Sequence, residues 1–147
     1  MILVSACLAG INCRYDGENK FQKEIFDLVR NGKAILVCPE QLGGLKTPRL
    51  PAEIKFVDGQ RRVIMKDGKD VTLEYERGAN EVLKLAQQLG ITKAIFKSKS
   101  PSCGCGIIYD GTFSSKTIVG NGITTDLLIA NGIEVIAAED YLKEKCI

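Results

Sequence analysis

Hydrophobic positions along the chain follow two different periods. Four short, nearly continuous apolar runs stand apart: Ile2 to Ser5, Ala34 to Val37, Lys93 to Lys97 with Ala94–Phe96 at its centre, and Glu134 to Ala137. Each is too short for a helix and reads as a strand buried on both faces. Between them lie helical spacings. Phe21 to Arg30 is apolar at 21, 25, 28 and 29 and stops at Asn31-Gly32. Val71 to Leu89 carries the stripe Ala79, Val82, Leu83, Ala86 and Leu89, with Asp70 as the expected cap and Gly90 as the stop. Gly78 inside it marks close packing or a break. Ile123 to Ala130 reads as a short helix opening near Thr124 or Thr125, and Tyr141 to Ile147 as an amphipathic tail.

Two stretches alternate instead. Ile54 to Val57 and Arg62 to Met65 predict a hairpin around Asp58-Gly59, and Ile107 to Tyr109 with Thr112-Phe113 predict another around Asp110-Gly111. Helices between apolar strands imply right-handed crossovers. The expected fold is therefore α/β: one three-layer, Rossmann-like domain over residues 1–147, with a mainly parallel central sheet and small peripheral hairpins. No repeat or linker divides it.

Composition narrows the chemistry more than the fold. No apolar run approaches 18 residues, and Met1 opens directly into a strand without the regions of a signal peptide. A cytoplasmic, membrane-free protein is expected. The formal charge of +2 argues neither for nor against a polyanionic partner. There is no histidine, so mechanisms built on Ser-His, Cys-His or His-metal pairs are excluded, and any general acid or base must be Asp, Glu, Lys, Tyr, Cys or water.

Six cysteines call for an explanation in a compartment that disfavours disulfides. Three of the predicted strands run into one at the carboxyl end: Cys7, Cys38 and Cys103. Ligands of open α/β sheets bind outside those ends. The loop Ser98-Lys-Ser-Pro-Ser-Cys-Gly-Cys-Gly106 has almost no apolar side chain and cannot be core. The stretch Cys38 to Glu53 has three prolines and Gly43-Gly44, predicts an irregular loop, and carries Glu40, Lys46, Arg49 and Glu53. Three converging thiols suit a zinc site completed by water, a cubane cluster with one open iron, or thiol redox chemistry. Dispersed spacing leaves all three open. Arg14, Lys46, Arg49, Lys97 and Lys99 are cations placed to hold a ring oxygen or a phosphate.

Five motifs go further together. They are Ser5-Ala-Cys-Leu8, Cys13-Arg-Tyr-Asp-Gly17, Cys38-Pro-Glu40 with Gly43-Gly-Leu45 and Pro48-Arg-Leu-Pro-Ala-Glu53, Lys97-Ser-Lys-Ser-Pro-Ser-Cys-Gly104, and Ile108-Tyr-Asp-Gly-Thr-Phe113. In this order, over nearly the whole chain, they resemble the thiouracil desulfidase-like family (domain of unknown function 523). The resemblance implies a [4Fe-4S] cluster on Cys7, Cys38 and Cys103, and non-redox desulfuration of a thiouracil- or thiouridine-type pyrimidine to uracil and hydrosulfide. It implies Glu40 for proton transfer, an assisting hydroxyl from Ser100 or Ser102, and Arg14, Tyr15, Arg49 and Lys97 around the substrate. Cys105 and Cys146 are expected to be extra, and Cys13, although within a family motif, is not expected to be a ligand. The partner implied is a small thiopyrimidine; nucleic acid is not expected, although a thiolated tRNA stays open, as does the oligomeric state. Two other readings remain: an iron- or sulfur-handling protein without turnover, and a zinc- or thiol-based enzyme.

Overall fold

A computed structural model of the protein describes residues 1–145. Cys146, expected to be an extra thiol, lies outside the described residues. The four apolar runs form one parallel sheet: β1 (Ile2–Ser5), β2 (Ala34–Val37), β5 (Lys93–Phe96) and β8 (Glu134–Ala137), in the order β2-β1-β5-β8. Helices α1 (Lys23–Arg30) and α5 (Ala138–Lys145) cover one face, where Val4 and Ile95 pack with Ile25 and Tyr141. Helices α3 (Thr72–Leu89) and α4 (Ile123–Ala130) cover the other, where Leu3, Ala94 and Phe96 pack with Val82, Ala86 and Leu128. Alternate strand residues thus feed two apolar layers, which is why the strands read as continuous hydrophobic runs. The architecture is the expected three-layer α/β fold.

The order sets the site. After β1 the chain crosses by α1 to β2 on one side; β5 then joins β1 on the other side. The crevice between β1 and β5 is the point where winding reverses, and ligands bind at such points.

Two antiparallel pairs flank the sheet. β3 (Ala52–Val57) pairs with β4 (Gln60–Met65) as expected, each slightly longer than predicted. β6 (Ile107–Tyr109) pairs with β7 (Thr117–Val119), not with Thr112-Phe113. Asp110-Gly111 looks like a two-residue turn, yet residues 110–116 form a longer loop closed by the Asp110 N–H on Lys116 O at 3.0 Å.

Other differences are local. Part of the stretch expected to be irregular is a single helical turn, α2 (Pro39–Leu42), with proline at its start. Asp70 is one residue short of the cap position: Val71 still donates to Val63 O of β4, so the helix opens at Thr72, whose N–H donates to Asp70 Oδ1 at 2.9 Å. Gly122, not a threonine, precedes α4; Thr124 and Thr125 are buried beneath it. Of the predicted tail, Tyr141 to Lys145 belongs to α5, which already opens at Ala138; the rest lies outside the described residues.

Gly78 marks close packing. A Cβ there would stand 1.9 Å from Pro39 O, and one on Gly43 would stand 1.9 Å from Glu74 O. Helix α2 therefore rests backbone to backbone on α3, and no side chain fits between them.

Candidate active site

The cysteines follow directly from strand ends. Cys7 sits in a 3-10 turn, Ala6–Ala9, straight after β1; Cys38 follows β2; Cys103 lies in the loop after β5. All three line one cavity of about 270 Å³ at the carboxyl side of the sheet. That is near the lower end of small-molecule sites, roughly 300–1,000 Å³. Cys7 and Cys103 also pack into the two apolar layers, so they are core residues with one side facing the cavity. Cys105 instead contacts Val135 O at 3.4 Å and takes no part in lining it.

Cys13 joins this group, which the sequence did not reveal. It is buried, lines the cavity, and its thiol bonds to both Cys38 and Cys7. The bond to Cys38 pulls its pKa down, but the bond to Cys7 and burial prevail and raise it to about 11. Cys38 is raised by its bond from Cys13 and by burial, and burial pushes Cys103 up to about 12. Cys13, Cys38 and Cys103 therefore keep their protons at neutral pH, and a metal would displace protons to bind them. Among the described residues, no three acidic or thiol groups close on a single ion.

The Cys103 loop is fixed by the start of α4. The N–H groups of Ile123 and Thr124 donate to Pro101 O and Ser102 O at 2.7 and 3.0 Å, and Thr125 Oγ1 donates to Cys103 O at 3.0 Å. The loop thereby satisfies donors that a helix start leaves open. Gly122 and Gly104 permit the approach: a Cβ would lie 2.4 Å from Ser102 O and 2.5 Å from Ser100 O, respectively.

Glu40 occupies the centre. Its Oε1 accepts from Arg49 Nε and Nη2 at 3.1 and 2.9 Å and from Tyr75 Oη at 2.9 Å. Its Oε2 accepts from Ser102 Oγ at 2.8 Å and Ser100 Oγ at 3.3 Å. One oxygen is thus clamped by the scaffold and the other faces the serines. Ser100 Oγ also accepts the N–H groups of Ser102 and Cys103, both at 3.1 Å, and lies 2.9 Å from Ser102 Oγ. Both serines line the cavity; Ser100 is half-buried, whereas Ser102 is fully buried, 3.8 Å from Cys103 Sγ.

Arg49 lines the cavity, but none of its donors is free. Besides Glu40 they reach Lys46 O, Thr47 Oγ1 and Cys13 O. Burial opposes its charge; Glu40 outweighs this and raises its pKa. Arg14, Tyr15, Lys97 and Lys99 also face the cavity, whereas Lys46 does not. Arg14 stacks over Tyr15 at 5.6 Å, and Lys97 Nζ donates to Ser98 O at 3.1 Å, its pKa lowered by burial.

Tyr75 was missed by the sequence reading. It continues the α3 stripe one turn before Ala79, so its ring looked like ordinary core; only its hydroxyl tip marked it. Burial and the adjacent Glu40 push that hydroxyl's pKa well up.

Comparison with known proteins shows the family of the chain. A family model described as 2-thiouracil desulfurase matches residues 2–140. The uncharacterized protein YbbK of Bacillus subtilis (strain 168) is 44% identical over 146 residues, spanning 95% of this chain and 97% of the relative. A solved structure described as a [4Fe-4S]-dependent thiouracil desulfidase, TudS, superposes with a TM-score of 0.87 at 46% identity, covering 97% of this chain and 93% of that one. Among the described residues, no helix is long and apolar enough to cross a membrane.

Proposed function

Since the chain belongs to the 2-thiouracil desulfurase family, we propose that it removes sulfur from a thiolated pyrimidine of the thiouracil or thiouridine type, giving uracil and hydrosulfide without net redox change. The observation that carries this reading is the meeting of thiols, Glu40 and Ser100 in one cavity at the strand-order switch.

The donor set fits a [4Fe-4S] cluster. Three thiols arrive from three separate elements around one cavity rather than converging on a point. Such a cluster would be held by cysteine thiolates, which these three residues could supply. Cys7, Cys38 and Cys103 are the proposed ligands; Cys13 is a neighbour of two of them. When bound, such a cluster supplies an open iron, a soft Lewis acid matched to a thiocarbonyl sulfur.

The remaining chemistry falls to side chains. Ser100 Oγ is fixed by two backbone N–H groups and donates to Glu40 directly or through Ser102, so a proton lost by the attacking water can be relayed through it to Glu40. Glu40 Oε2 then holds or returns that proton as water replaces sulfur on the ring carbon. Arg49 and Tyr75 fix the carboxyl group through its other oxygen. Arg49 is accordingly a clamp on Glu40, not the substrate ligand expected of it. Arg14, Tyr15 and Lys97 remain to meet the pyrimidine.

The test is anaerobic reconstitution with iron and sulfide, followed by measurement of hydrosulfide and uracil from thiouracil and thiouridine. Stoichiometric release of both products is expected. A reconstituted cluster with no product would point to iron or sulfur handling without turnover. Zinc found in anaerobically purified protein would displace the cluster from the reading.

A further inference from the structure

Glu53 is buried, 8% exposed, and belongs to β3. Its Oε1 accepts two backbone N–H groups from the loop after β6: Gly111 at 3.0 Å and Phe113 at 3.1 Å. That loop is unusual. Gly111, Phe113 and Ser115 all have positive φ, at 92°, 56° and 63°. Two of them carry side chains, which disfavour that conformation, so the surroundings must hold it. The hold is visible on several sides. Gly111 is pressed to β3 so closely that a Cβ would meet Ile54 O at 2.8 Å. Asp110 Oδ1 accepts from Thr112 N and Oγ1 at 2.9 and 2.6 Å. Lys55 Nζ stands over the Phe113 ring at 5.6 Å.

Glu53, Phe113 and Ser115 all line the cavity that contains the cysteines. The loop forms the outer part of that lining: Ser115 is exposed and Phe113 half-buried, whereas Cys7, Cys13, Cys103 and Glu53 itself are buried. A thiocarbonyl that reaches the thiols turns the far side of its ring toward this loop. Whatever the ring carries there meets Phe113 and Ser115.

We propose that the 110–116 loop is the specificity wall of the site and that Glu53 is its positioning residue, holding Gly111 and Phe113 so that the wall selects among thiopyrimidines by the substituent on the ring. This rests on the desulfidase reading above. A buried carboxyl group on two backbone donors is costly unless those bonds are kept. A neutral amide oxygen could accept the same two bonds, so Gln should substitute at 53 where Ala cannot.

The experiment compares wild type, Glu53→Gln and Glu53→Ala as reconstituted holoenzymes, with free thiouracil and with thiouridine. Amide exchange at residues 111–115 is measured on the same samples. In Glu53→Ala, exchange at Gly111 and Phe113 should accelerate by about tenfold or more while the cluster absorption is kept. Its kcat/KM for thiouridine should fall roughly tenfold through KM, with thiouracil changed by less than about threefold. Glu53→Gln should match wild type in both. Unchanged exchange in Glu53→Ala would show that Glu53 does not hold the loop. Faster exchange with both substrates affected alike, or neither, would overturn the selection. If wild type is inactive on both compounds, the desulfidase reading fails and the selection with it, a result separate from the others because it needs no variant.

Discussion

The substitution Gly78→Ala sets two physical effects against each other. Helix propensity alone favours alanine in the middle of α3 by roughly 1 kcal/mol. The packing opposes it. The new methyl would lie 1.9 Å from Pro39 O and 3.2 Å from Gly43 N. A comfortable carbon contact is about 3.5 Å, so α2 must move off α3 by roughly 1.5 Å or α3 must bend. The obstructing atoms are backbone on a proline turn and have no rotamer in which to escape. Overpacking of this kind costs about 1–3 kcal/mol, and the upper part of that range exceeds the propensity gain. A net loss of about 1–2 kcal/mol corresponds to a Tm lower by roughly 2–8 °C for a chain of this size.

The larger effect is expected on activity. Pro39 stands between Cys38 and Glu40, so the displaced turn carries both with it. The Ser102–Glu40 and Tyr75–Glu40 bonds, 2.8 and 2.9 Å, do not survive a shift of that size. Misplacement by about 1 Å can cost on the order of a hundredfold in rate. The assay is thermal unfolding by circular dichroism together with desulfuration rate per bound cluster. A Tm that rises, with the rate unchanged, would refute the reasoning, because it would mean that propensity acts alone and the turn relaxes freely.

Further predictions concern single groups. Glu40→Gln should lower stability by about 3 kcal/mol, because Arg49, its side chain 3% exposed, loses its charged partner, and should lower turnover per folded molecule at least about a hundredfold; a loss of stability alone would make Glu40 a purely structural residue. Serine at Cys7, Cys38 or Cys103 should abolish the visible absorption of a reconstituted cluster, whereas Cys13→Val should keep it, and the reverse pattern would replace the ligand set. Asp70 is held at about 2, below its ordinary value, by the bonds from Thr72 and Arg62. Its contribution is present above about pH 4 and is lost as pH falls through about 2. Asp70→Asn should therefore show a small Tm deficit at pH 7 that closes at pH 2, and a deficit equal at both pH values would remove the charge from the explanation.

What could be read in advance tracks the range of the interactions. The four strands were legible because burial on both faces leaves an unbroken apolar run, and their thiols were legible because glycine, proline and charge follow each run at once. The single turn of α2 was hidden by its prolines and glycines, which announce loops; its stability comes from a contact with Gly78, distant in sequence. The partner of β6 was misread because Asp110-Gly111 carries a strong turn signal, while the positive φ of Phe113 and Ser115 has no residue signature. Tyr75 and Cys13 escaped for a common reason: one resembles a core aromatic and the other a spare thiol, and only the folded chain shows which neighbours they touch.

The grip of α4 on the Cys103 loop has a consequence for when this protein can be completed. Cys7 is made well before Cys103, and the loop bearing Cys103 gains its contacts only once the Ile123, Thr124 and Thr125 donors follow it. The site therefore closes only after residues 123–125 have been made, through contacts that are not local in sequence. On the cluster reading, loading would therefore follow the arrival of α4 on the Cys103 loop and not precede it.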